Sequence, residues 1–395
     1  METPAMVTKE QQDIGRAYTK RLGTTALLQL FLQLLGMTAY CYLGGSEIVT
    51  QAAERITHNF YLQLVLCWIP IWSIHTACSL AGSWPRFHID RQFCISRAGF
   101  AATLLDILKA KAILFVIGGI FLEIVFASHR ISSSFGWIWA GALCSLLLLT
   151  VDRFLPFLLA LFYPMMPVRD DSLRERLTGL ASKAGLRLGK IFEWHISSRT
   201  RQANAFVSGV GTARRILLTD TLLNALSQDE VEAIVAHELG HCALHHIAKR
   251  IAFQGVLLCG IFWAINFSVM NGLIWLGNEE LAWNDLNLVP GILFFYVVGF
   301  FYANFLMSAL SRGQERAADL YSWKLTGRTA PFITAMRKLQ DLNLIVFDQD
   351  SQWKHAHPAT AERIVAAEQY ENKHLASVGM AQGSHQNPIA DPYLE

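Results

Sequence analysis

The sequence predicts a mainly α protein, a polytopic membrane helix bundle of about six spans that carries a cytoplasmic α+β lobe. Three observations predict it. Apolar residues make up 53% of the 395 residues and charged residues only 16%, where a soluble domain carries about a quarter charged. The charge is missing in long blocks, several of them near the about 20 residues a helix needs to cross the hydrocarbon layer. Between the blocks lie polar stretches with mixed helical and strand patterning. This composition excludes a disordered chain, a collagen-like chain and a small disulfide scaffold. A net charge of +2 offers no electrostatic footprint for nucleic acid, so no nucleic-acid partner is expected. The seven cysteines stand singly, with no C-x-x-C pair, and read as small buried hydrophobes.

Residues 1–165 form an N-terminal membrane region of four spans. The first lies in the uncharged gap between Arg21 and Glu47, and the second covers residues 56–85 with Pro70 as a kink site. The third, 112–128, is interrupted only by Glu123, which can snorkel to the outer interface. The fourth begins near Phe135 and passes Asp152 and Arg153 to about Tyr163. Residues 251–310 supply two more, at 251–278 and 286–310. Loop charges alternate. Lys9, Arg16, Lys20 and Arg21 precede the first span, Arg55 alone follows it, and Arg86, Arg91, Arg97, Lys109 and Lys111 come next. Arg130 is alone in the following loop, and the last turn has Glu279, Glu280 and Asp285 without Lys or Arg. By the positive-inside rule both termini and the segments 166–250 and 311–395 are cytoplasmic. Trp84, Trp137, Trp275 and Trp283 fall near span ends, as interfacial aromatics do. The chain shows no retention signal, which favours a bacterial inner membrane over endoplasmic reticulum.

Within the polar segments, 172–184 has helical periodicity and 190–196 reads as a short strand. Residues 204–207 and 215–218 form a hairpin around Gly209 and Gly211. Residues 371–395 lack periodicity and are expected to be a disordered tail.

The decisive string is SQDEVEAIVAHELGHCALHH, residues 227–246. Ser227 followed by Glu230 is a capping box, so a helix starts there. His237 and His241 are four apart, about 6 Å of rise, so both imidazoles project from one face and can share one Zn²⁺. Glu238 is placed to reach a water in the metal's open position. H-E-x-x-H thus supplies a Lewis acid, a water of lowered pKa and a general base together. The third ligand sets the class. A metzincin would continue with Gly and His where Leu244 and Ile247 stand, and that class fails. His245 lies about 12 Å along the same axis and cannot close around the metal, so His245 and His246 read as surface residues near the headgroups. A carboxylate from a separate helix is needed. Glu315, in SRGQERAADLYSWKLTG, would complete a His₂Glu site, and Asp319 one turn on can accept a hydrogen bond from a ligating imidazole.

Three passages resemble the integral-membrane zinc metalloproteases (gluzincins) that include the CAAX prenyl protease and its bacterial heat-shock protease relatives. They are NAF…RRILLTDTLL…VEAIVAHELGH (204–241), SRGQERAAD (311–319) and HPATAERI (357–364), with a looser match at 87–110. The resemblance implies that the lobe, 166–250 with 311–370, is a zincin-type metalloprotease lobe holding one Zn²⁺ per chain. It implies His237, His241 and Glu315 as ligands and Glu238 as general base. It also implies that a peptide pairs with the strand at Asn204, Ala205 and Phe206, with Asn204 on its backbone, and that His357 stabilises the oxyanion. β-Augmentation and a donor opposite the metal suit those roles physically. The prenyl protease has seven spans where six are counted in this chain.

The function expected is therefore zinc-dependent membrane endopeptidase hydrolysis of peptide bonds by a zinc-activated water. The expected partners are the lipid bilayer and peptide or protein substrates, including lipidated or membrane-embedded ones. One alternative is quality-control cleavage of membrane proteins, as in heat-shock relatives. The other, from a different class, is a six-span transporter or scaffold with a structural metal site, which a fourth protein ligand would reveal.

Overall fold

Apolar runs become long helices because every backbone group in hydrocarbon must be satisfied within its own segment. The structure, a computed structural model, describes residues 9–132, 134–208, 214–275, 283, 285–344 and 358–383. The first half gives α1 (Lys9–Tyr42), the short α2 (Gly45–Ile56), α3 (Phe60–Gln92), α4 (Phe100–Ile131) and α5 (Gly136–Ala160). Asn59 caps α3, its side chain accepting from the N–H groups of Tyr61 and Leu62 at 3.0 and 3.2 Å. Pro70 and Pro85 both lie inside that helix.

Among the described residues, five helices are long and apolar enough to cross a membrane: Gln12–Tyr42, Phe60–Gln92, Phe100–Ile131, His246–Gly272 and Leu286–Thr326. The sixth expected span corresponds to α5, whose described apolar stretch, Gly136–Val151, is shorter. Two membrane expectations are corrected. Trp283 is buried at 2% exposure and stacks on His129 at 3.7 Å between ring centroids, so it fills the bundle instead of marking an interface. Glu123 turns Oε2 into the protein, with no hydrogen-bond partner among the described residues, where snorkelling would carry it outward.

The lobe opens with β1 (Met165–Pro167), α6 (Asp171–Lys183) and β2 (Ile191–Trp194). It continues through β3 (Ala205–Ser208), β4 (Arg215–Thr219), α7 (Asp220–Ala225) and α8 (Gln228–Ala243). After the long helix α9 (His246–Trp275) the chain re-enters the lobe on α10 (Val289–Thr326), followed by α11 (Ala330–Asn343) and α12 (Thr360–Gly383). The sheet order is β1-β2-β4-β3. β2 and β4 run parallel, and the other pairs are antiparallel. β3 is therefore an edge strand, paired with β4 in the register Ala205↔Leu218 and Phe206↔Leu217. The strands at 190–196, 204–207 and 215–218 are thus realised, as is the helix at 172–184, while the turn at Gly209 and Gly211 lies outside the described residues.

Leu177, Leu218, Val235 and Phe332, each at 0% exposure, bring α6, the sheet, α8 and α11 into one core. Each such side chain contributes about 1.5–3 kcal/mol by burial. α10 is one unbroken helix of 38 residues, so the last span and the segment bearing Glu315 are a single rod. The expected end of order near Tyr370 is corrected too. α12 runs on to Gly383, because EQYENKHLASVGMAQ has no proline and many good helix formers, and a helix needs no apolar stripe to continue.

Candidate active site

Two helices build the site. Ser227 caps α8 with the reciprocal capping box, the Glu230 side chain accepting from the Ser227 N–H at 2.7 Å. Such a cap stabilises a helix start by about 1 kcal/mol. Lys338 Nζ of α11 donates to Glu230 Oε2 at 2.7 Å, pinning the same end. Further along, α8 packs against α10. Ser322 Oγ donates to the Ala233 carbonyl at 3.0 Å. At Gly240 a Cβ would stand only 3.2 Å from the Ala318 Cα and carbonyl oxygen, so glycine permits this close approach.

That approach brings His237, His241 and Glu315 together, with one ligand-type atom from each lying within 4.8 Å of the others. The two Nε2 atoms are 3.1 Å apart. Glu315 Oε2 is 3.4 Å from His237 Nε2, and Oε1 is 3.3 Å from His241 Nε2. Two ligands about 2.05 Å from a tetrahedral ion are about 3.3 Å apart, so the donor set and its spacings fit zinc. Glu315 and His237 are buried, at 3% and 6% exposure. Asp319 Oδ1 meets His237 Nδ1 at 2.8 Å, which leaves the Nε2 lone pair facing the cluster. Burial opposes charge on His237, yet hydrogen bonds to Asp319 and Glu315 outweigh it and raise the ring to about 9. Glu238, the next residue, is held above the ordinary glutamate range by burial, opposed by the charges of His237 and His241.

Two residues escape sequence reasoning. Arg363 of α12 forks onto Asp319 through Nε and a terminal nitrogen at 2.8 and 2.6 Å, and that nitrogen lies 3.4 Å from His237 Nδ1. The only sequence signal is that Arg363 stands in the same HPATAERI string as His357. His246 is the other, and it is not the surface residue expected near the headgroups. It is buried at 4% exposure, with Nδ1 2.9 Å from His241 Nδ1. α8 ends at Leu244, and His245 takes a positive φ of 56°, so the chain turns back there.

The substrate-side expectations sit on the sheet edge. Asn204 is exposed at the start of β3, its Oδ1 accepting from the Ala205 N–H at 2.9 Å. Ala205 is buried, and the Phe206 ring packs edge-on against Trp194 with centroids 6.2 Å apart. His357 lies outside the described residues.

The profile of peptidase family M48 matches residues 167–371, more than half of the chain. The chain belongs to peptidase family M48. As a member it is an integral-membrane metalloendopeptidase that acts on peptides or proteins and uses a metal cofactor, and the transporter or scaffold alternative falls. It is 29% identical over 311 residues to CAAX prenyl protease 1 of Saccharomyces cerevisiae, covering 73% of this chain and 68% of the relative. It is 27% identical over 351 residues to the metalloprotease YhfN of Bacillus subtilis, covering 83% of this chain and 79% of that one. The fold is similar to the crystal structure of S. mikatae Ste24p at a TM-score of 0.77, with 22% identity over 93% of this chain and 92% of that one. The fold likeness therefore takes in the membrane half, where the sequence resemblance is weak.

Proposed function

We propose that this M48 peptidase is a zinc endopeptidase in which His237, His241 and Glu315 hold the ion and Glu238 moves the proton. The observation that carries the reading is the cluster itself: two Nε2 atoms and one carboxylate within 4.8 Å, on a pair of helices locked face to face. A zinc ion in this donor set supplies Lewis acidity and an open coordination position that acidifies water. A Glu238 carboxylate oxygen accepts the proton from the attacking water and hands it to the leaving amine nitrogen. The raised affinity of this half-buried carboxyl for a proton suits that exchange. Asp319 holds His237 through Nδ1, and Arg363 keeps the Asp319 carboxylate ionised and aimed. His357 is assigned to the developing oxyanion, and Asn204 to the substrate backbone.

An extended substrate adds to the outer edge of β3 at Asn204, Ala205 and Phe206 by main-chain pairing, β3 being the end strand of the described sheet. Its class is proposed to be a lipidated C-terminal peptide, because relatives across the same stretch of chain are CAAX prenyl proteases. The alternation of loop charges supports the cytoplasmic side for this chemistry, and the membrane proposed is a bacterial inner membrane. Glu238→Gln tests the mechanism: the variant should keep its zinc and lose peptide cleavage, and unaltered cleavage would end it. A farnesylated peptide and its unlipidated twin test the substrate class. Equal cleavage of the two would favour quality-control proteolysis instead.

A further inference from the structure

We propose that His246 is a positioning residue for His241: its Nδ1 accepts the Nδ1–H of His241 and so fixes the tautomer whose Nε2 faces the metal. This rests on the zinc reading above. The two imidazoles that converge on Glu315 each have an outer ring nitrogen to be held. For His237 the holder is Asp319, from α10, at 2.8 Å. For His241 it is another histidine, with 2.9 Å between the Nδ1 atoms. Two imidazole nitrogens at that distance share one proton. If His241 is to offer Nε2 as a lone pair, its Nδ1 must carry the hydrogen, and His246 Nδ1 must be the acceptor.

The backbone is shaped to make this contact. On an unbroken helix a residue five positions past His241 would point about 140° away from it, since each residue turns about 100°. The chain leaves the helix at Leu244 instead, and His245 adopts a left-handed conformation with φ of 56° that non-glycine residues rarely take. α9 then begins at His246, and the ring folds back onto His241 with 5.0 Å between centroids and 72° between planes. A conformation of this cost at such a position persists where surrounding structure requires it. The His246 ring is buried, and its carbonyl accepts from Gln314 Nε2 at 3.5 Å, beside Glu315 in sequence. His246 is also the first residue of a membrane-length helix, so the acceptor is fixed to the bundle itself. The two ligands of α8 are thereby oriented by two different helices that both emerge from the membrane region.

The test measures zinc affinity by chelator competition on the full-length protein in detergent, alongside thermal unfolding of the metal-free protein. His246→Leu keeps the bulk and removes the acceptor, whereas His246→Asn places Oδ1 near the position of Nδ1. Loss of an outer partner of a metal-bound histidine weakens binding about 10–100-fold. We expect that loss in His246→Leu, recovery to within about threefold in His246→Asn, and similar metal-free unfolding temperatures for both. Affinity unchanged in His246→Leu would overturn the proposal. So would equal weakening in both variants, which would mark His246 as packing alone. Wild type and His237→Ala separate this from the parent reading. If wild type takes up no zinc, or His237→Ala binds it as tightly, the zinc site itself fails. If only the His246 result fails, the site stands without this residue.

Discussion

Gly240 sits where α8 and α10 come closest, and replacing it with alanine should loosen the metal without unfolding the lobe. The new Cβ would lie 3.2 Å from Ala318 Cα, the Ala318 carbonyl oxygen and Tyr321 Cδ1. Carbon atoms prefer separations of about 3.5–4.0 Å, so α10 must withdraw by roughly 0.5 Å. Glu315 is one turn from Ala318 on that helix and moves with it, whereas ligand distances tolerate only about 0.2 Å of error. Overpacking costs about 1–3 kcal/mol, and the gain in helix propensity over glycine returns about 0.5–1 kcal/mol. Without metal α10 can give way, so most of the strain falls on the metal-bound state. Gly240→Ala should therefore weaken zinc about tenfold, or ~1.4 kcal/mol, and Gly240→Val more. Chelator competition measures the affinity, and scanning fluorimetry of the metal-free protein measures the fold. Wild-type affinity in both variants would refute the claim that the helix spacing sets the site.

Other outcomes follow from the surroundings of the site. Arg363→Ala strips the buried Asp319 of its fork and should cost about 3–5 kcal/mol of stability, while Arg363→Lys keeps the charge but loses one arm; unfolding temperatures and zinc content check both. Burial pushes the Glu230 carboxyl up, but the hydrogen bonds from Lys338 and the Ser227 N–H prevail and hold it below its ordinary range. A depressed carboxyl contributes stability above its unfolded value of about 4.3 and loses it as pH falls through the folded value. Wild type should exceed Lys338→Met by about 0.5–1 kcal/mol at neutral pH, discounted because Lys338 is 46% exposed, and thermal unfolding should show the gap closing below about pH 4. At the sheet edge, the backbone of Asn204 is bonded to Thr219, so by alternation the N–H of Val207 faces outward. Val207→Pro should then raise KM about tenfold or more with little change in unfolding temperature, whereas Phe206→Pro should break the ladder and destabilise the lobe.

The zinc helix was legible because its signals are local: the Ser227–Glu230 box, the four-residue spacing and the adjacent Glu238 all lie within one short string. Glu315 and Asp319 were legible as the acidic pair that a two-histidine motif requires from elsewhere. Arg363 was not, since its partner Asp319 is 44 residues away and only tertiary packing joins them. A straight continuation of α8 would carry His246 to the surface, whereas the turn at His245 brings it inside. Nothing in ALHHIAK announces a left-handed histidine, and glycine, the usual marker, is absent. The continuity of α10 was hidden because Arg312 and Glu315 end the hydropathy signal without ending the helix. The place of Trp283 between two spans suggests an interfacial anchor, while its partner His129 comes from a distant span.

Anomalous diffraction at the zinc absorption edge, on crystals of the wild-type protein, bears most directly on the account. One peak is predicted per chain, about 2.0–2.1 Å from Nε2 of both His237 and His241 and bound by Glu315. A peak at another set of side chains, or a fourth protein ligand closing the coordination, would contradict it.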